Sequence, residues 1–466
     1  MTVKKSKDFD AWYNDIVERA DLCDKRYPIK GMNVWRPYGW EVSLLIDALI
    51  REELKKTCHK EVCFPLLIPE KLFKKEADHI KGFDAQVYWV THAGDNELEE
   101  RLLLRPTSET AIYSMYHLWI RSHADLPLKT FQIVNTFRYE TKMTKAFLRV
   151  REIHFFESHT CHRDFEDAER QIQEDLDIAK DFFKNLCLPY LLNKRPEWDK
   201  FAGAFYSIGI DVILPSKRVI QLGSIHQYKE NFSRPFEITY EDEEGKHRYC
   251  HQTTYGMSER LLGATISIHG DDKGISLPPM IAPIQIIIIP IIFKGKEDRV
   301  QKKCHEVYDT IQDNGWRVHL DDRDITPGMK YYDWELKGVP LRVEIGPRDI
   351  EKKMVTVVRR DGKKIGVQEE SILEGIEREM TDYSETLMKQ AQSFTKDMIH
   401  RSETLMKGIE GIIEVPWCGN ETCGLEMEEE LDMKTLGTPI PPVECTGTCL
   451  RCGKKATTWV RLAHTY

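Results

Sequence analysis

The stretch Thr130–Phe156, TFQIVNTFRYETKMTKAFLRVREIHFF, decides how the first half of the chain folds. Apolar and polar residues alternate from Thr130 to Tyr139 and again from Leu148 to Phe156, on either side of the polar segment Glu140–Lys145. A period of two marks half-buried strands, so the stretch reads as a long antiparallel hairpin. On such a strand Arg138 and Glu140 share a face, because side chains repeat every second residue. A lone Arg/Glu pair is most often a surface ion pair, so its surroundings decide whether it is more.

Upstream, Leu102–Arg105 is a short strand that opens into Pro106-Thr107-Ser108-Glu109, whose small polar residues precede an apolar helical run as a cap would. Further back, Asp8–Leu54 reads as two helices flanking a Pro/Gly-containing loop, and Glu61–Pro69 as an edge or interface strand. Downstream, Asp164–Leu186 places Phe165, Ala168, Ile172, Leu176, Ala179 and Phe183 on one helical face. Strands follow at Tyr206–Leu214 and Val219–Gly223, and Phe236–Tyr240 faces Arg248–Thr253 across Glu244-Gly245. The whole is a mostly antiparallel sheet. Gln221, Ser224 and His226 stand at its strand ends, and Arg260 follows Gly256-Met-Ser258-Glu.

Past Pro278-Pro279 the pattern changes to strand Ile284–Ile289, helix Glu297–Asn314, strand Arg317–Leu320, helix Met329–Lys337 and strand Leu341–Ile345. This alternation implies an α/β module with parallel pairing. A long polar helix over Thr381–Lys407 leads to a cysteine-rich end. The divisions are therefore 1–280, 281–380 and 381–466, in line with the roughly 150 residues of an ordinary domain.

With 41% hydrophobic and 31% charged residues the chain is ordinary globular material, and its net charge of −9 leaves nucleic-acid contact to local basic surface. No apolar signal core opens it, and the apolar run Met280–Phe293 is broken by Pro283, Gln285 and Pro290. A cytoplasmic protein without a membrane anchor is expected. Seven of the 12 cysteines are scattered, whereas five crowd between Cys418 and Cys452. Cys418-x4-Cys423 and Cys449-x2-Cys452 supply one tetrahedral thiolate zinc, with Cys445 as a spare that could replace a ligand. Such a site is closed and stabilises a fold without catalysing a reaction.

The segments Phe137-Arg-Tyr-Glu140 with Arg149-Val-Arg-Glu152, Tyr255-Gly-Met-Ser-Glu-Arg260 and Phe64-Pro-Leu-Leu-Ile-Pro69 resemble motifs 2, 3 and 1 of class II aminoacyl-tRNA synthetases. Arg105-Pro-Thr-Ser-Glu109, Ile268-His-Gly-Asp-Asp-Lys-Gly274 and Gly338–Arg348 narrow the resemblance to prolyl-tRNA synthetases of the archaeal and eukaryotic type. The resemblance implies an α+β catalytic domain built on an antiparallel sheet. An α/β anticodon-binding domain and a small zinc-binding α+β C-terminal domain would follow. It implies a homodimeric proline-tRNA ligase using ATP and Mg2+, with L-proline and tRNA(Pro) as substrates. An editing insertion between Thr160 and His251 is not expected.

By the same resemblance Arg138 and Arg260 are catalytic. Glu140, Gln221, Ser224 and Ser258 join them on ATP, while Thr107, Glu109, Arg138, His226, Phe155, Glu157 and His159 bind proline. Read without the family, Thr107 and Glu109 are a cap and Phe155 is core. The run Arg342–Lys364 has eight basic and four acidic positions; it resembles a tRNA-facing surface, with Glu344 and Arg348 as base readers, or is simply a solvated face. Phe205 and Ser207 stand where the family usually has an acidic residue and Thr. The alternative is a relative with the same adenylation chemistry but another amino acid or a non-tRNA acceptor.

Overall fold

A computed structural model describes residues 3–75, 84–293 and 295–466. Two N-terminal helices, α1 (Phe9–Arg19) and α2 (Pro37–Lys56), pack on the catalytic sheet. Asp8 caps α1 by accepting from the Ala11 N–H, as an N-cap carboxylate does. A small three-stranded sheet (Leu67–Pro69, Asn96–Leu104, Tyr88–Ala93) precedes helix α3 (Glu109–Trp119).

The hairpin forms, with both arms shifted away from its tip relative to the alternation: β1 (Leu128–Phe137) pairs with β2 (Glu152–His162) from Leu128↔Cys161 to Phe137↔Glu152. Arg138 and Glu140 therefore lie beyond the end of β1. They project to one site because the 138–151 loop folds back, with Arg138 N–H on the Arg151 carbonyl and Glu140 N–H on the Arg138 carbonyl. In contrast to the expectation from strand alternation, the loop and not the strand period brings Arg138 and Glu140 to one site.

Helix α4 (Phe165–Asn185) buries Ala168, Ile172, Ala179 and Phe183 against the sheet, close to the expected face. Strands β3 (Leu191–Lys194), β4 (Tyr206–Ile213), β5 (Val219–Lys229) and β6 (His251–Ser258) complete the sheet, and helix α5 (Arg260–His269) follows. All these neighbours run antiparallel, in the order β3-β4-β5-β6-β2-β1.

The α/β module has five strands in the order β8-β7-β9-β10-β11. Here β7 is Ile286–Pro290, β8 Val318–Leu320, β9 Leu341–Ile345, β10 Met354–Arg359 and β11 Lys364–Gln368. Strand β7 is parallel to both β8 and β9, as its continuous apolar run requires.

The helix expected at Thr381–Lys407 is instead α6 (Ile372–Asp397), so it runs across residue 380. It stops because Ile399–Arg401 (β12) pairs in parallel with Ile412–Trp417 (β13), overriding local helical pattern. Strands β14 (Lys434–Ile440) and β15 (Thr458–Ala463) finish the C-terminal module. Its sheet is continuous with the catalytic one: β14 pairs with β3 at Thr438↔Lys194, Pro439↔Asn193 and Ile440↔Leu192, and with the short strand Lys60–Glu61 parallel to β1 at the far edge the sheet has 11 strands among the described residues. Among the described residues no helix is long and apolar enough to cross a membrane.

Candidate active site

A cavity of about 340 Å3 opens between the 138–151 loop and the ends of β4, β5 and β6. Of the expected site residues, Thr107, Glu109, Arg138, Glu140, Phe155, Glu157, Gln221, Ser224, His226, Ser258 and Arg260 all line it. The β-sheet register explains part of this gathering: Phe155↔Ser258 and Glu157↔Gly256 on β2/β6, and Ser224↔Gly256 on β5/β6, stack polar side chains on one face. Phe155 is accordingly a wall residue and not core. Gly256 matters for that face, because a Cβ there would meet the Phe155 ring at 2.9 Å.

One end is cationic. Arg138 Nε donates to the Pro106 carbonyl at 3.0 Å, and Arg260 donates to the Leu148 and Gln221 carbonyls at 3.0 Å each. Arg149 joins them and sits 3.7 Å from Glu140. Burial, reinforced by repulsion from Arg138 and Arg149, pushes the Arg260 guanidinium down to about 10, still charged at neutral pH. Burial lowers Arg138 too, while the nearby Glu109 and Glu157 work to keep it charged.

The other end is a buried hydrogen-bonded network around two carboxylates, Glu109 and Glu157. Arg105 donates to the Phe64 and Asn135 carbonyls at 2.8 Å each, fixing the 105–109 segment against β1. Thr107 Oγ1 then donates to Glu109 Oε2, and Tyr228 donates to Glu109 Oε1 at 3.2 Å. Ser108 occupies the N-cap position of α3, yet its hydroxyl is turned to Glu157 and caps nothing. The cap reading of this segment is therefore corrected. Glu157 also accepts from Gln132 at 2.8 Å and lies 3.1 Å from His159 Nε2. Burial alone would raise Glu157, but the bonds from His159, Ser108 and Gln132 hold its carboxyl below the usual range.

His159 does not reach the cavity, in contrast to its expected place on the wall: it is fully buried between Glu157 and the Tyr113 hydroxyl, 3.1 Å from each. His226 is on the wall, with Ser207 Oγ 2.7 Å from Nδ1 and Ser224 Oγ 2.9 Å from Nε2, and with Phe201 stacked on its ring at 4.7 Å. Burial, aided by Arg195, depresses His226 to about 3, so the imidazole is neutral at physiological pH. Ser207 thus belongs to the site. The Phe205 side chain lies off the cavity wall, its ring under the Lys229 ammonium at 3.4 Å.

Arg149, Arg195, Asp199, Phe201 and Glu259 also line the cavity without having been singled out for it. Arg149 stands inside the quoted motif 2 string and Phe201 in the stretch that precedes Phe205, so both had a local signal; Arg195 had none.

In the C-terminal module the sulfurs of Cys418, Cys423, Cys449 and Cys452 all lie within 4.8 Å of one another. Cys418 and Cys452 are 3.7 Å apart, near the about 3.8 Å edge of a tetrahedron with 2.3 Å zinc–sulfur bonds. No cysteine is in a disulfide, and Cys445 is not part of the cluster.

Residues 88–269 match the tRNA synthetase class II core domain (G, H, P, S and T), 285–379 the anticodon binding domain, and 403–466 the C-terminal domain of prolyl-tRNA synthetase. Proline–tRNA ligases of Thermococcus kodakarensis and Pyrococcus horikoshii are each 53% identical to the chain, over 99% of it and 99% and 98% of their own lengths. The chain belongs to the proline–tRNA ligase family. It is accordingly an aminoacyl-tRNA ligase of class II, with no editing domain among the matched modules. A Giardia lamblia prolyl-tRNA synthetase solved with prolyl-adenylate superposes with a TM-score of 0.96 at 37% identity, covering 100% of this chain and 99% of that one. A Cryptosporidium parvum prolyl-tRNA synthetase with halofuginone and AMPPNP gives 0.94 at 34%, again covering 100% and 99%. The three-part proline–tRNA ligase architecture expected from the sequence is borne out.

Proposed function

We propose that the cavity joins L-proline to ATP and that the product is then transferred to tRNA(Pro), with the residue roles that follow. The observation that supports this most is the polarity of one cavity: arginines at one end, and at the other a compact set of hydroxyl and carboxylate oxygens beside a neutral imidazole. The proline carboxylate attacks the α-phosphorus of ATP and pyrophosphate leaves. The terminal ribose hydroxyl of tRNA then attacks the prolyl carbonyl and AMP leaves. Phosphoryl transfer asks mainly for positioning and charge stabilisation.

Arg138, a planar and permanently charged fork, bridges the α-phosphate and the proline carboxylate. Arg260 takes the γ-phosphate, Glu140 accepts from the adenine amino group, and Gln221, Ser224 and Ser258 complete the nucleotide contacts. The oxygens of Thr107 and Glu109 accept the two hydrogens of proline's secondary ammonium. His226 and Phe155 shape the ring pocket. Glu157 acts there as a carboxylate held from behind by His159, which makes His159 a positioning residue. The Giardia structure carries prolyl-adenylate and the Cryptosporidium one AMPPNP, in agreement with ATP as the second substrate.

Mg2+ would arrive on the triphosphate and offset its charge. The donor set agrees: among the described residues the cysteine cluster is the only group of three or more candidate ligands, so the cavity offers Mg2+ isolated carboxylates such as Glu259. Zn2+ would be held by Cys418, Cys423, Cys449 and Cys452, whose four sulfurs lie within 4.8 Å of one another and would leave no open position on a tetrahedral ion. A homodimer is supported by exposed apolar residues near motif 1, namely Leu66, Leu67, Leu118 and Trp119, with Trp119 against Phe64 at 5.7 Å. The protein is assigned to the cytoplasm, where its tRNA substrate is found. Glu344 and Arg348 are proposed on the tRNA side, Arg348 as the more accessible of the two.

The test is amino-acid-dependent ATP–pyrophosphate exchange with all standard amino acids, then charging of total tRNA. Exchange with proline and charging of tRNA(Pro) are expected. Exchange with another amino acid only, or exchange without charging, would overturn the substrate assignment.

A further inference from the structure

Arg195 is almost fully buried just past the end of β3, with its guanidinium reaching three acceptors. One nitrogen, Nη2, donates to Asp211 Oδ1 at 2.6 Å and to Gln221 Oε1 at 3.0 Å; Nη1 donates to the Leu436 carbonyl on β14 of the C-terminal module. Room for this comes from Gly209 in mid-strand, where a Cβ would stand 2.1 Å from Nη2. A glycine inside a strand often marks such a close approach. Gly437, at φ +117°, does the same for β14, since a Cβ there would stand 2.1 Å from the Lys194 carbonyl oxygen.

The contact settles which way the Gln221 amide points. Arginine can only donate, so the atom facing it must be the Gln221 oxygen. The NH2 half is thereby left for the cavity that Gln221 lines. The bulge between Ile210 and Asp211 sets Asp211 directly opposite Gln221, which is what lets one guanidinium serve both.

Behind Asp211 the polar chain continues into the C-terminal module. Asn193 Nδ2 donates to Asp211 Oδ2 at 2.6 Å, and Arg461 Nη1 on β15 donates to Asn193 Oδ1 at 3.0 Å. Arg461 Nε donates to Glu414 on β13 at 2.8 Å, and Glu414 accepts from Arg401 on β12 at 2.8 Å. The chain's last residues reinforce the seam: the Val219 N–H donates to the His464 carbonyl and the Tyr466 N–H to the Val219 carbonyl, beside the start of Gln221's own strand.

We propose that Arg195 is a positioning residue for adenylation: it orients the Gln221 amide toward the nucleotide and links that orientation to the C-terminal module through Asp211, Asn193 and Arg461. The proposal rests on Gln221 being a nucleotide contact, as read above. The C-terminal module is then part of the ATP site's scaffold as well as a separate metal-stabilised fold.

The experiment measures proline-dependent ATP–pyrophosphate exchange over a range of ATP concentrations on the full chain. Arg195→Lys keeps a cation beside Asp211 but lacks the planar fork that spans the Asp211, Gln221 and Leu436 acceptors together. The expected result is a rise in KM for ATP of about five- to ten-fold, the loss of one oriented hydrogen bond. KM for proline should move by less than about two-fold, since the lysine keeps the positive charge that acts on His226 in the proline pocket. Gln221→Ala should raise KM for ATP similarly, and the double variant should be no worse than Gln221→Ala alone. Gly209→Ala, which pushes the guanidinium away without deleting it, serves as a second route to the same rise if Arg195→Lys folds poorly. Arg461→Met should give a smaller rise in the same constant, with zinc content unchanged.

An unchanged KM for ATP in Arg195→Lys, or effects of Arg195→Lys and Gln221→Ala that multiply, overturns the proposal. No rise in Arg461→Met overturns the link to the C-terminal module. If Gln221→Ala itself is without effect, the nucleotide role of Gln221 falls and this inference falls with it. Sensitivity to Gln221 without sensitivity to Arg195 removes the inference alone.

Discussion

Arg260 in the cavity and the basic run Arg342–Lys364 both bring positive charge, yet they are held in opposite ways. Arg260 is fixed by the Leu148 and Gln221 carbonyls, neutral acceptors that set its geometry and leave its charge in force. In the run, Arg342 and Lys364 share Glu344 at 3.0 and 2.9 Å, Lys363 meets Glu379 at 2.9 Å, Arg359 meets Asp361, and Arg360 meets Asp271 at 2.7 Å. Those four carboxylates cancel most of the charge of the five cations they hold. An anion site is therefore recognised by the kind of acceptor that holds each cation, and a count of basic residues is a poor guide to it. Preorganised, uncancelled charge is also what a phosphoryl-transfer transition state draws on.

The largest effect should come from the cavity. Arg260→Ala is expected to lower proline-dependent exchange by about 10²–10³-fold, the usual loss for one transition-state charge stabiliser, without unfolding the protein. Near-normal exchange would dissolve the contrast with the basic run.

The same rule extends to a buried carboxyl that lacks a cation. Asp175 on α4 receives an amide hydrogen bond from Gln171 at 2.9 Å and, among the described residues, no ion pair. Burial pushes it up to about 8. The folded state thus holds a proton that the unfolded state releases at a carboxylate's ordinary value near 3.8, so stability falls as pH rises through that window and levels off above about pH 8. Asp175→Asn should remove this slope and be more stable than wild type at pH 7–8, by roughly 3 kcal/mol. Parallel wild-type and variant curves from urea unfolding between pH 5 and 8 would refute it.

Arg360→Met tests the run from the other side. Arg360 is buried and, besides Asp271, donates to the Ile275 and Glu335 carbonyls, so it ties the loop after α5 to the α/β module. Removing it should cost about 1–3 kcal/mol, at the low end because Asp271 is half exposed and can be re-solvated. Calorimetry reads the stability, and tRNA charging should fall more than exchange.

The smallest effects belong to Arg348, Lys352 and Lys353, which are exposed and, among the described residues, make no ion pair. Each neutralisation to Ala should reduce the salt dependence of tRNA binding by about one phosphate contact, while neutralising Arg342 should not. Equal slopes for both sets would mean that carboxylate pairing does not decide which cations meet RNA.

Much of the fold could be read locally. The alternation around Glu140–Lys145 located the hairpin, and Leu341–Ile345 is a strand over those very residues. Eleven expected site residues gather in one cavity because the motifs fall on adjacent strand ends. His159 could not be placed from its spacing: one face of β2 contains both it and Glu157, and only the packing of Tyr113 puts His159 behind the carboxylate. The helix over 372–397 ends where β12 pairs with β13, a contact to which no helical periodicity is sensitive.

By itself the sequence determined which side chains were available, in which strands and helices, and the four thiols that close on one point. Those signals have periods of 2 and about 3.6 residues or ligand spacings within a short segment, so they survive without tertiary context. Only the tertiary structure decided which cations keep their charge, and that β14 would join β3 to make one sheet of two modules. Coulomb energy depends on the distance and nature of each partner, and the pairing of Ile440 with Leu192 brings together residues far apart in the chain. For the same reason Arg195, featureless in its own stretch of sequence, stands between the C-terminal module and Gln221.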